Sequence, residues 1–155
     1  MLSMSRWPLL PELGYALMVE GAAEGAADRF GKVFRATWSR LPDTAKKGLR
    51  TVCDSFGDDL PRFLLLNTLE PHRTGEATFG VYNAGRFHFS AAELQQLKNQ
   101  NHLAEALIAH ELAHCVLDHR GGYSDANEKA AGAPAESWGF PMKELRAAIS
   151  RPAGP

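Results

Sequence analysis

Five residues, His110-Glu111-Leu112-Ala113-His114, constrain this chain more than any others. They fall in a run whose spacing predicts one helix over about 102–118, with Asn101 able to cap it. On a helix, histidines four apart share a face and sit one turn apart. Two neutral imidazoles so placed can bind one zinc ion. The Glu111 side chain lies about 100° further round, near enough to reach a water at the metal rather than the metal itself. Zinc lowers the pKa of such a water to about 7, and a carboxylate can then take its proton. Leu112 and Ala113 are apolar, so the helix can be buried. The plain alternative is a metal-free helix whose two histidines are satisfied by hydrogen bonds.

A catalytic zinc takes three protein ligands and leaves a position for water. Four candidates for the third follow the motif. His119 is nine residues past His110, so on a continuing helix it faces about 180° away. Asp118 lies nearer the His114 face, where it can hold a ligand imidazole from behind or simply be a solvated charge. Glu128, in Asn127-Glu128-Lys129-Ala130-Ala131 at the start of an expected helix, is the first choice. Glu136, in Ala135-Glu136-Ser137-Trp138, is the reserve; its ordinary reading is a surface carboxylate before a packing tryptophan.

The rest of the chain predicts an α+β fold, a small antiparallel or mixed sheet packed against helices with the motif on a central one. One domain suits its 155 residues. Its division is a helical N-terminal part over 1–60 and a core over 61–141. Residues 1–11, with Pro8 and Pro11, read as irregular, followed by helices over about 12–20 and 22–40. Phe30, Phe34, Trp38 and Leu41 recur at helical spacing and predict a core face. Leu41-Pro42 ends that helix, because the residue before proline avoids the α region. Asp43 is a fitting cap for a helix over about 44–56. Phe63-Leu64-Leu65-Leu66 reads as a buried strand. Ala77–Tyr82 and Arg86–Ser90 read as a hairpin about Asn83-Ala84-Gly85, with Phe87 and Phe89 pointing one way and His88 the other. Ser90-Ala91-Ala92-Glu93 is a capping box that starts a helix, and Met142 to Ile149 form a short terminal one.

Composition excludes some partners. With 17 basic and 18 acidic residues and a net charge of −1, no strong field for nucleic acid or membrane is expected. The two cysteines, Cys53 and Cys115, form no Cys-x-x-Cys pair. Together with a poor leader segment, they predict a reducing, cytoplasmic setting.

His110-Glu111-Leu112-Ala113-His114 followed by Asn127-Glu128-x-x-Ala131 resembles the gluzincin metallopeptidases. Within them it is similar to the compact ImmA/IrrE-type enzymes of bacteria and phages. The strand Phe87-His88-Phe89-Ser90 with the next helix, and the closing Trp138-Gly139-Phe140-Pro141, share in the resemblance. It spans roughly 60–141 and implies a minimal zincin-like domain. It also implies zinc held by His110, His114 and Glu128, with Glu111 as general base in the hydrolysis of a peptide or protein. An oxyanion donor is then needed. His88, His119, Arg120 and Tyr123 are candidates, Tyr123 preferred because it follows Gly121-Gly122. The strand near Arg86–Ser90 can pair with an extended substrate, and residues 1–25 can cover the cleft.

Two other classes stay open. His110, His114 and His119 bear some likeness to the three-histidine motif of YbeY-type endoribonucleases, although the chain has no basic excess for RNA. A regulatory module with a closed, stabilising zinc site is the other; it needs a fourth protein ligand. A cysteine nucleophile is disfavoured, since Cys115 points about 100° from its neighbour His114.

Overall fold

Alternation with a period of two decides the N-terminal third. In the computed structural model, which describes residues 4–10, 13, 15–54, 63–67, 80–83, 86–116 and 133–149, Tyr15, Leu17 and Val19 are buried while Ala16, Met18 and Glu20 are only half-buried. These residues form strand β2 (Tyr15–Glu20), which pairs antiparallel with β1 (Met4–Leu10). The irregular start and the helix expected over 12–20 are therefore both corrected to strands, and the N-terminal part is not wholly helical. Ala, Leu, Met and Glu favour helix individually, yet strand pairing outweighs so weak a preference. Pro8 is tolerated because β1 is an edge strand. Within the segment 1–25, expected as able to cover the cleft, Met4–Leu10 and Tyr15–Glu20 supply two strands of the sheet.

Three more strands complete the sheet: β3 (Phe63–Leu66), β4 (Gly80–Asn83) and β5 (Arg86–Ser90). The order is β1-β2-β3-β5-β4, with β2, β3 and β5 parallel and both edge strands antiparallel. The expected strand at 63–66 and the hairpin pairing of β4 with β5 are present. Residues 77–79 and the turn at 84–85 lie outside the described residues. One rung of the ladder runs Trp7, Leu17, Phe63, Phe87. Phe63 stacks on Phe87 at 5.1 Å between ring centroids, and Leu17, Phe63, Leu65, Phe87 and Phe89 are all buried.

Helix α1 (Glu24–Arg40) lies on this apolar face: Phe30 meets Phe89 at 4.9 Å and Phe34 meets Phe63 edge-on at 5.2 Å. It ends as expected, with Leu41 extended (φ −69°, ψ 142°) ahead of Pro42. Helix α2 (Asp43–Asp54) starts one residue earlier than predicted, because the Pro42 carbonyl already accepts from the Ala45 and Lys46 amides. Helices α3 (Ala91–Gln95) and α4 (Asn101–Val116) follow β5. The Gln100 carbonyl accepts the first bonds of α4, while the Asn101 side chain, expected as its cap, accepts from Arg29 instead. The described residues 133–137 are helical (α5) and include Pro134. Gly139 (φ 96°) closes it: its amide donates to Glu136 and that of Phe140 to Ala135, a pattern that calls for glycine in the left-handed region. Helix α6 (Met142–Ile149) buries Met142 and Leu145. None of the described helices is long and apolar enough to cross a membrane.

Arg29 joins these layers. Its guanidinium donates to the carbonyls of Leu94 (3.1 Å) and Leu97 (2.8 Å) and to Asn101 Oδ1 (3.1 Å). Arg29→Met keeps the aliphatic stem but leaves those acceptors short of a donor. It is expected to lower stability by about 2 kcal/mol, read as a fall in the urea midpoint at constant slope. An unchanged midpoint would refute this.

Candidate metal centre

The motif residues stand on α4, which has an unusual environment for so polar a cluster. Leu103, Ala104, Ala106, Leu107, Ile108, Ala109, Leu112 and Ala113 are each no more than 2% exposed. At 100° per residue these positions spread round the whole circumference, so α4 is enclosed on nearly every side. Its neighbours are α1, α2, α6 and the edge strand β4.

Within that apolar surround His110, Glu111 and His114 converge. One ligand-type atom from each lies within 4.8 Å of the others. The imidazoles are 4.9 Å apart between centroids and nearly perpendicular, at 85°, as the one-turn spacing dictates. His114 and Glu111 are buried, and the Nε2 of His114 is screened from solvent. His110 is half-buried and is the open side of the cluster. Tetrahedral zinc with nitrogen and oxygen ligands near 2.0–2.2 Å spaces its donors by about 3.3 Å, so small side-chain rotations close the gap. The donor set, two imidazoles and a carboxylate held by one rigid helix, is thus compatible with zinc. Each of the three residues also takes part in further interactions.

The other predicted residues divide into two groups. Glu128, the first choice for third ligand, lies outside the described residues, as do Asp118, His119, Arg120 and Tyr123. Glu136 and His88 are described. Glu136 is exposed on α5 and does not join the cluster. His88 alternates with Phe87 and Phe89, so it stands on the sheet face opposite α1, and it is not one of the three converging residues. Strand β5 also cannot take an added substrate strand, since β3 and β4 pair with both its sides. Among the described strands, the edge strand next to α4 is β4.

On the other side of α4, Glu105 was not singled out by the sequence, and Asn101 was read only as a cap. Glu105 Oε1 accepts from Arg40 at 2.9 Å, and Asn101 accepts from Arg29. The available signal was their i, i+4 spacing on a helix that from Leu103 to Ala109 is otherwise apolar. Comparison with known protein families, curated protein sequences and solved structures finds no match to this chain.

Proposed function

We propose that this protein is a zinc-dependent peptidase, with a zincin-like core formed by the mixed sheet and α4. The observation that carries the reading is the convergence of His110, Glu111 and His114 within 4.8 Å on one buried helix. Two imidazoles one turn apart on one helix, with a carboxylate beside them, form a donor set suited to a divalent cation.

In this reading His110 and His114 hold the metal, and Glu128 is the proposed third ligand. Zinc, when bound, supplies a Lewis acid and an acidified water. The Glu111 carboxylate takes the proton of the attacking water and returns it to the leaving amine. Its burial limits competition from bulk solvent, and the helix backbone fixes it beside His110. Half-buried His110 marks the side from which a peptide approaches. Tyr123 is proposed as the donor to the oxyanion. The substrate is a peptide or protein, and the setting a reducing one.

Bound metal per chain, measured by elemental mass spectrometry, tests this. Wild type is expected to carry about one zinc, in line with one site of three protein ligands. His114→Ala and Glu128→Ala lose it, and Glu136→Ala retains it. Wild type that takes up no metal when zinc is supplied would overturn the reading.

A further inference from the structure

Hydrophobic burial is proportional to area and has no direction. A helix that is apolar all round therefore buries similar area at many rotations about its axis. For α4 something else must choose one rotation, because a turn of about 100° would carry His110 and His114 off the site. The described polar contacts that reach α4 from α1 are few and well placed. Arg29 binds Asn101 Oδ1 at 3.1 Å, and Arg40 binds Glu105 Oε1 at 2.9 Å. The hydroxyl of buried Thr37 donates to Val33 at 2.8 Å and is only 3.5 Å from the Glu105 carbonyl, so it adds little.

The geometry of those two contacts is telling. Asn101 and Glu105 are four apart and share one stripe of α4. His110 is nine residues beyond Asn101, and His114 is nine beyond Glu105. Nine residues turn a helix by about 180°, so the gripped stripe and the histidine stripe lie on opposite sides. Both arginines are themselves anchored elsewhere: Arg29 by the carbonyls of Leu94 and Leu97, Arg40 by the Gly139 carbonyl at 3.0 Å and by stacking 4.3 Å over the Phe140 ring. A contact with such anchors holds a position rather than trailing after it.

We propose that Arg29 and Arg40 are positioning residues that set the rotation and axial register of α4 and so aim His110, Glu111 and His114. Polar contacts confer uniqueness on apolar packing in this way when a single residue fixes the register of a coiled coil, and cores lose uniqueness before they lose stability. The register part stands on the contacts alone; the aiming of ligands rests on the zinc reading above.

The test is the double variant Arg29→Met/Arg40→Met, which keeps the aliphatic stems and removes both forks. Two readouts are taken well below its unfolding temperature. The first, on metal-free protein, is the methyl NMR spectrum of Leu103, Leu107, Ile108 and Leu112. Wild type should give one sharp set and the variant duplicated or broadened signals. The second is titration with cobalt(II) as a spectroscopic stand-in for zinc. Affinity should fall about tenfold, the lower end of the range for losing groups that orient metal ligands, with an altered visible spectrum. Arg40→Lys, which keeps a cation for Glu105, should recover part of both in the single-site comparison with Arg40→Met. Lys32→Ala, which removes only the exposed pair with Asp28, should change neither. One sharp methyl set in the variant, or cobalt binding equal to wild type despite doubled methyls, overturns the proposal. If the double variant does not fold, Arg40→Met alone is read by the same criteria. Wild type that binds no cobalt defeats the zinc reading instead, and the methyl spectra still decide the register.

Discussion

Glu111→Gln is expected to keep its zinc and to lower peptide hydrolysis by about 10²–10⁴-fold, the usual contribution of a general base. Glutamine has the shape of glutamate and can still hydrogen-bond, so the buried site is not emptied. It cannot take up a proton at neutral pH. Two measurements on the same sample, zinc per chain and rate with a peptide substrate, separate the roles open to this side chain. Retained zinc with lost rate identifies a base. Loss of zinc along with rate identifies a ligand, which the convergence of Glu111 with the two imidazoles also permits. Unchanged rate rules out both, and any peptidase activity in the sample then comes from elsewhere. The same variant speaks to a zinc site that only stabilises the fold, because there Glu111→Gln would cost stability and no activity.

The largest effect on stability is expected at Phe63. This ring is 1% exposed and lies at the centre of the sheet. It stacks on Phe87 and meets Phe34 edge-on, with Tyr15 at 5.7 Å. Phe63→Ala removes contacts to both neighbouring strands and to α1 together, and the surrounding rings are too rigid to collapse fully into the space. Losses for such substitutions run to about 3–5 kcal/mol, against a total of about 5–15 kcal/mol for a domain. Urea unfolding followed by tryptophan fluorescence reads the difference; Trp38, stacked 6.3 Å from Phe34, is a natural reporter. A loss below about 1 kcal/mol would show that the site repacks around the missing ring.

The sequence by itself determined the local features that depend on neighbours along the chain. The spacing of His110 and His114 places two imidazoles on one helical face whatever the helix packs against. Leu41-Pro42 ends α1 through a steric clash within a dipeptide. Phe63–Leu66 and the alternation of Phe87 with His88 announced strands, since only a pleated backbone sorts such residues by side. The α+β class follows from those pieces. Tertiary structure decided the rest. Residues 15–20 carry side chains that suit a helix as well as a strand, and pairing with β1 and β3 chose the strand. The sheet order also made β1 the edge where Pro8 is harmless, and pairing with β3 and β4 left β5 with no free side. Asn101 was equipped to cap its own helix, yet Arg29, seventy-two residues earlier in the chain, took its oxygen. The rotation of α4 belongs to the same class. An apolar circumference written in the sequence fixes that the helix is buried, and the choice of which way its histidines face is left to tertiary contacts such as those of Arg29 and Arg40.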